Sequence, residues 1–185
     1  HQAKYPEALE LWEDVLKIKV NQLGLNHPHV ADALNNIGCV YGEQGKFSEE
    51  LEMYEKSLAI TIKVHGPDHP DTATTQHNIG RVHMGQGKYP DALDMLTTAL
   101  KTREKVLGRN HPLVADTSYN IGCVHVSQGL FELAAESFGR SATIDSQVQG
   151  DSHSSTIDAQ RQAESAQLAW SRALRPMPSK KSTKK

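Results

Sequence analysis

The chain lacks any apolar run long enough to cross a bilayer, and its mean hydropathy of −0.55 agrees, so a membrane-spanning helix is excluded. Cysteine is nearly absent. Cys39 and Cys123 are too few for a disulfide-stapled scaffold and fit a reducing compartment. An excess of charge of one sign is also missing: 20 Lys and Arg face 22 Asp and Glu, a net charge of −2, which argues against a protein that coats nucleic acid. No segment alternates apolar and polar residues between turn clusters, so nothing predicts strands. His1 to Glu10 is polar, so no export signal opens the sequence. The expected setting is cytoplasmic, with cytoskeletal or ciliary association as the further reading.

What is present is a repeat. His27-Pro28 returns as His69-Pro70 and His111-Pro112 and decays to His153-Ser154, each step being 42 residues. Gly24, Gly66, Gly108 and Gly150 keep the same interval, as do Gly38, Gly80 and Gly122, and Asn36, Asn78 and Asn120. Tyr5, Phe47, Tyr89 and Phe131 add a further register. Such self-similarity is the signature of a stacked repeat architecture.

Each unit reads as two helices. The first starts at the His-Pro, where proline suits the first helical position and Asn26, Asp68 or Asn110 can cap, and it stops at a Gln-Gly pair. Leu34, Ile37 and Tyr41 share one face of it, and Ile79 with Val82 and Ile121 with Val124 repeat that stripe. The second begins near the Tyr or Phe and ends at Gly66, Gly108 or Gly150, which can take a left-handed conformation. Leu51, Tyr54, Leu58 and Ile62 form its apolar stripe, with Leu93, Leu96 and Leu100 in the next unit. Gly38, Gly80 and Gly122 fall in mid-helix, where glycine costs about 1 kcal/mol against alanine. Close approach of the partner helix, with Ala92 and Ala134 as its small residues, is the expected compensation; Glu50 holds that place in the first full unit.

Leu34-x2-Ile37-Gly38-x2-Tyr41, followed by Gly45-Lys46-Phe47 and Leu51-x2-Tyr54, resembles the tetratricopeptide repeat. The 42-residue unit and the Gly-x2-His-Pro linker resemble the kinesin-light-chain type of that repeat. The resemblance implies an all-α, right-handed superhelical solenoid that serves as an interaction scaffold and holds a peptide or partner segment in its groove. It also implies basic residues after the tyrosine that ends the first helix, selecting acidic ligands. Gly42-Glu43-Gln44, Met84-Gly85-Gln86 and Val126-Ser127-Gln128 hold none, so this chain departs from that preference.

The expected organisation is the second helix of a preceding repeat over 1–24, full repeats over 25–66, 67–108 and 109–150, a degenerate capping unit over 151–175, and a basic disordered tail over 176–185. The array opens in mid-unit without an initiator Met, so the chain is expected to be part of something longer. In the first helix Ala8, Leu9, Trp12, Val15 and Leu16 form the apolar stripe, and Trp12 and Leu16 are expected to lack cover, which would favour head-to-tail self-association. The fourth unit replaces its mid-helix glycine by Glu164, and Ile157, Ala163, Ala166 and Trp170 are expected on the inner side of the last helix. Six of the 20 basic residues lie from Arg172 onward without one acid, leaving 14 against all 22 acids in the rest.

Catalytic chemistry finds no support: there is no phosphate-binding glycine loop, nucleophile elbow or acid–base carboxylate pair. The expectation is no enzyme, no cofactor, no metal and no small-molecule substrate. The linker histidines His27, His69, His111 and His153 lie one per unit and should not converge on an ion. A protein or extended peptide held in the groove is the expected partner; the alternative is a structural subunit of a large cytoskeletal or ciliary assembly that uses its convex face, ends or basic tail. Counting from the packing residues, Asp32, Asn35, Asn36, Cys39, Thr74, His77, Asn78, Arg81, Asp116, Tyr119, Asn120 and Cys123 should line the groove. From these, Asn35, Asn36, His77, Asn78, Arg81, Tyr119 and Asn120 are the candidate binding residues. The asparagines would grip the ligand backbone or else bond across neighbouring helices, and His77, Arg81 and Tyr119 would read its side chains.

Overall fold

The computed structural model describes residues 5–174, so the expectation for the tail over 176–185 lies outside the described residues. Eight helices and no strands occur among them: α1 (Tyr5–Leu23), α2 (Pro28–Glu43), α3 (Phe47–His65), α4 (Pro70–Gly85), α5 (Tyr89–Leu107), α6 (Pro112–Ser127), α7 (Phe131–Gln149) and α8 (Ser154–Ala173). Short helices α2, α4 and α6 alternate with long helices α3, α5 and α7. None is long and apolar enough to cross a membrane.

The short helices start at histidines rather than at the expected Asn26, Asp68 or Asn110. His27, His69, His111 and His153 are extended, and each accepts the backbone N–H two residues on through Nδ1, at 3.1–3.3 Å. A side-chain acceptor at this point satisfies one of the N–H groups that a helix start leaves without a partner. Asp68 instead pairs with Lys105 at 2.5 Å, and Asn110 donates to Gln147. The long helices end at Gly66, Gly108 and Gly150 with φ near +90° but ψ of 158–171°. That is the mirror image of extended backbone, not the expected left-handed helical turn, and it is nearly exclusive to glycine.

The mid-helix glycines are explained by a large neighbour. A Cβ on Gly80 would lie 2.7 Å from Leu96 Cγ and 3.2 Å from the Ala92 carbonyl oxygen. Tyr54 and Phe138 press on Gly38 and Gly122 in the same way. Leu96, Tyr54 and Phe138 are buried knobs set into the glycine positions, while Ala92 and Ala134 are fully covered beside them. At Glu50 the carboxylate lies over Gly42, and partial burial pushes its carboxyl up.

The core is a chain of local clusters, not one body. Val30, Ala31, Leu34 and Ile60 form the first with Leu16 and Val20; Tyr54, Ile79 and Val82 form the next. Ala92, Leu96, Ile121 and Val124 follow, and Ala134, Phe138 and Ala166 close the series. The principal contacts join helices adjacent in sequence, with α4 against α6 added. This is the quasi-one-dimensional packing of an α-solenoid.

The edges of the array shift three expectations. Ile62 is exposed while Ser57 and Thr61 are buried, so the inner face of α3 is turned toward small polar residues. In α8 the inner side carries Thr156, Ala159, Ala163, Ala166 and Trp170, at strict three- and four-residue spacing, and Ile157 points outward. In α1 the half-buried stripe is as expected, but Leu16 packs on the first cluster and Trp12 is half-covered; the bare residues are Leu11, 68% exposed, and Ile18, 52% exposed.

Candidate peptide groove on the short helices

Side chains of α2, α4, α6 and α8 line two cavities. One, of about 250 Å³, is bounded by Glu43, Phe47, Glu50, Asn78 and Arg81. The other, of about 390 Å³, lies between α6, α7 and α8 and is bounded by Leu113, Asp116, Tyr119, Asp145, Ser155 and Asp158. A larger recess of about 560 Å³ sits elsewhere, against α5 and α7 beside the Arg140–Glu104 ion pair.

The candidate residues divide into four groups. Asn78 and Arg81 face the first cavity from successive turns of α4, and neither makes a side-chain hydrogen bond or ion pair among the described residues. The other asparagines are engaged within the array. Asn36 Nδ2 donates to the Asp32 carbonyl at 2.9 Å, and Asn120 Nδ2 donates to the Asp116 carbonyl at 2.8 Å. Asn35 Nδ2 crosses from α2 to α4 and donates to Thr75 Oγ1 at 3.2 Å, while its Oδ1 is buried without a partner. Tyr119 borders the second cavity; its hydroxyl donates to Asp158 at 2.5 Å and its ring meets Phe138 edge-on.

His77 is the correction. It is 4% exposed, so it does not face a ligand. Its Nδ1 accepts from Arg103 Nη1 at 3.2 Å and its Nε2 lies 3.2 Å from Asp116 Oδ2, an arrangement that assigns the neutral ring with the proton on Nε2. Burial above all, then the charges of Arg103 and Arg81, push its pKa down to about 3.

Sequence reasoning missed Arg103 because it lies on a long helix. It is 2% exposed and its Nη1 donates to the Leu113 carbonyl at 3.0 Å and to Thr117 Oγ1 at 2.6 Å, with Asp116 Oδ2 at 3.8 Å. Asp116 is half-exposed, but its Oδ2 is turned into this junction; desolvation raises its pKa and the two arginines oppose that rise. Asp145 and Asp158 were missed too. The signal was available in the repeat: position 103 is Thr61 one unit earlier and Asp145 one unit later.

Four linker histidines act as helix caps. The structure also brings His65, His69 and Asp71 together, with ligand-type atoms within 4.8 Å. The His65 and His69 rings are stacked 4.2 Å apart at 16°, and His69 Nδ1 already accepts the Asp71 N–H. Parallel rings do not aim their lone pairs at one point, so the trio has the wrong geometry for a shared ion.

Comparison with known proteins agrees with this architecture. Two profiles described as tetratricopeptide repeat match the chain, one over residues 51–105 and 71–147, the other over 1–29 and 30–71. Among solved structures, the nearly identical TPR-like repeats of a kinesin-light-chain-type protein from Podosopora anserina superpose with a TM-score of 0.78 at 23% identity, covering 92% of this chain and 81% of that one. BtubC (BKLC) from P. vanneervenii gives 0.73 at 17%, covering 96% and 78%. The N-terminal domain of stress-induced protein-1 from C. elegans gives 0.57 at 16%, covering 76% and 96%. No curated protein sequence matches the chain significantly. At these identities the structural likeness is one of fold, whereas the profile matches span more than half of the residues: the chain belongs to the tetratricopeptide repeat family.

Proposed function

We propose that the chain is a protein-interaction scaffold that holds an extended partner segment along the short helices. The observation that carries this reading is the pair Asn78 and Arg81, which face a cavity beside the half-buried Glu50 and spend no side-chain hydrogen bond on the described residues. An amide there can grip a peptide backbone, and a guanidinium can select a carboxylate or carbonyl. Asn36 and Asn120 donate through Nδ2 to carbonyls of their own helices, so they offer a ligand less of their hydrogen-bonding capacity than Asn78 does. Acids flank the arginine, so the preferred segment is mixed in charge. The solved structures named for kinesin light chain make a cytoskeletal setting the natural context in which to look for it.

Selection from a displayed library of extended peptides, followed by titration of the selected sequence, tests this reading. Arg81→Ala should weaken binding about tenfold or more, the loss expected when a hydrogen bond to a charged group is removed. Asn78→Ala should weaken unrelated sequences alike. Binding that survives both changes on an array of unchanged helicity and melting temperature overturns the groove.

A further inference from the structure

We propose that the cavity between α6, α7 and α8 is a subsite for a basic side chain, guanidinium above all, of the partner segment. This inference rests on the groove reading above and adds the chemistry of one ligand residue.

The 42-residue register sets two junctions of the array side by side. In the second unit Arg103 projects from the long helix into a frame made by His77, Asp116, Thr117 and the Leu113 carbonyl, and its guanidinium contacts all four. Forty-two residues later the same frame is built from Tyr119, Asp158, Ala159 and Ser155, and the residue at the arginine position is Asp145. The acid of the frame is kept and the cation is replaced by a second acid. With Asp116 on the near wall, three carboxylates border one cavity of about 390 Å³.

Asp145 is the second observation. It is 7% exposed, forms no ion pair among the described residues, and has one long hydrogen bond, to Oδ1 from Gln149 of its own helix at 3.3 Å. Its Oδ2 has no donor among the described residues. A carboxylate largely covered by protein, bordering a cavity and without a counter-charge among the described residues, gains from a cation that enters and pairs with it. Among the described residues, Asp158 accepts only the Tyr119 hydroxyl. The cavity walls suit the rest of such a side chain, since Leu113 and Tyr119 border it and offer apolar surface to the alkyl stem. The geometry that Arg103 satisfies from within the chain is thus open to an arginine from outside.

The test uses the full chain, labelled with 15N, at physiological salt. The probe is N-acetyl-arginine methylamide, and its neutral control is the citrulline analogue of the same shape. Saturable shifts confined to the amides around Tyr119, Asp145 and Asp158 are expected, with the citrulline compound at least about tenfold weaker. Asp145→Asn keeps shape and should weaken the probe about tenfold or more. Asp145→Arg should abolish probe binding by supplying the guanidinium internally.

Shifts spread over the whole acidic surface, equal binding of citrulline, or an unchanged affinity in Asp145→Asn would overturn the subsite. So would shifts of the same amides on deleting residues 176–185 without probe, which would assign the cavity to the chain's own basic end. The two proposals fail separately. If the probe does not bind while Arg81→Ala still abolishes capture of the selected peptide, the subsite falls and the groove remains. If the probe binds while the selected peptide ignores Asn78→Ala, Arg81→Ala, the groove falls and the cavity remains a site for free guanidinium.

Discussion

Arg103 and Asp145 occupy one position of successive long helices and are buried almost equally, 2% and 7% exposed, yet their surroundings differ in kind. Around Arg103, Nη1 meets two oxygen acceptors, a histidine nitrogen and a carboxylate within 4 Å, while Nε is buried with no partner among the described residues. Asp145 shares its cavity with Asp116, which Arg103 answers from the other junction, and with Asp158; neither Asp145 nor Asp158 forms an ion pair among the described residues. One junction is closed by its own side chains and fastens α4, α5 and α6; the other keeps its charge facing a cavity. If the cavity takes a ligand cation as proposed, one geometric position serves assembly in one unit and recognition in the next through the sign of a single residue.

The largest expected effect follows from breaking the closed junction. Arg103→Met keeps the stem volume but leaves Asp116, His77 and Thr117 without their shared partner. Removing one member of a buried ion pair costs about 3–5 kcal/mol, and the half-exposure of Asp116 puts this case at the lower end. Urea denaturation should show that loss, and hydrogen exchange should show α4–α6 opening first. A change below about 1 kcal/mol would mean the junction does not hold the array together.

Acid separates the two junctions next. His77 has a folded pKa near 3, far below the roughly 6.5 of an unfolded histidine. Between those values the unfolded chain binds a proton that the folded chain refuses. The stability contributed by neutral His77 is therefore full above pH 6.5 and is lost as pH falls toward 3, at about 1.4 kcal/mol per pH unit. The third unit has Tyr119 at this position, whose pKa is raised by burial and by Asp158, so no proton is gained there in acid. Stability measured at pH 7, 6 and 5 should fall more steeply in wild type than in His77→Gln. Parallel slopes would show that His77 is hydrated and free to protonate.

Closing the open junction is the third test. Asp145→Arg places a guanidinium within the frame of Asp158, Tyr119 and the Ser155 carbonyl, though Ala159 cannot supply the hydroxyl that Thr117 gives. A gain of about 1–2 kcal/mol in urea denaturation is expected, the scale of one or two charge-assisted hydrogen bonds after desolvation. A loss would show that the frames differ in backbone as well as in charge.

The repeat made the fold legible. Five registers at one interval left only the helix pair as a unit, and the glycine in mid-helix pointed to close packing before Leu96 or Phe138 could be seen pressing on it. The groove was less legible because periodicity gives a helix face but not its rotation to within one residue. His77 is one position from Asn78, and that step of about 100° takes it from the cavity into the Arg103 junction. Ile157 and Thr156 show the same one-residue slip at the last helix. Arg103 and Asp145 were hidden for another reason: apolar stripes were used to find the core, and a buried ion pair does not appear in an apolar stripe.

The smallest predicted effect is the most diagnostic. Asp145→Asn leaves volume and the acceptor for Gln149 in place and removes a charge from a cavity bordered by two like charges. Burial alone would make the two positions equally sensitive, since both residues are more than nine-tenths covered. Pairing makes the opposite forecast: Arg103 is irreplaceable, whereas Asp145→Asn should change stability by less than about 1 kcal/mol, in the stabilising direction, because like charges in proximity are relieved. Urea denaturation of the two variants side by side decides it. If Asp145→Asn costs as much as Arg103→Met, the carboxylate is held by a cation of its own chain and does not stand ready for a ligand. If it stabilises while the arginine probe is lost, the third unit has kept an unfavourable charge for the sake of binding, the stability cost expected of a functional position.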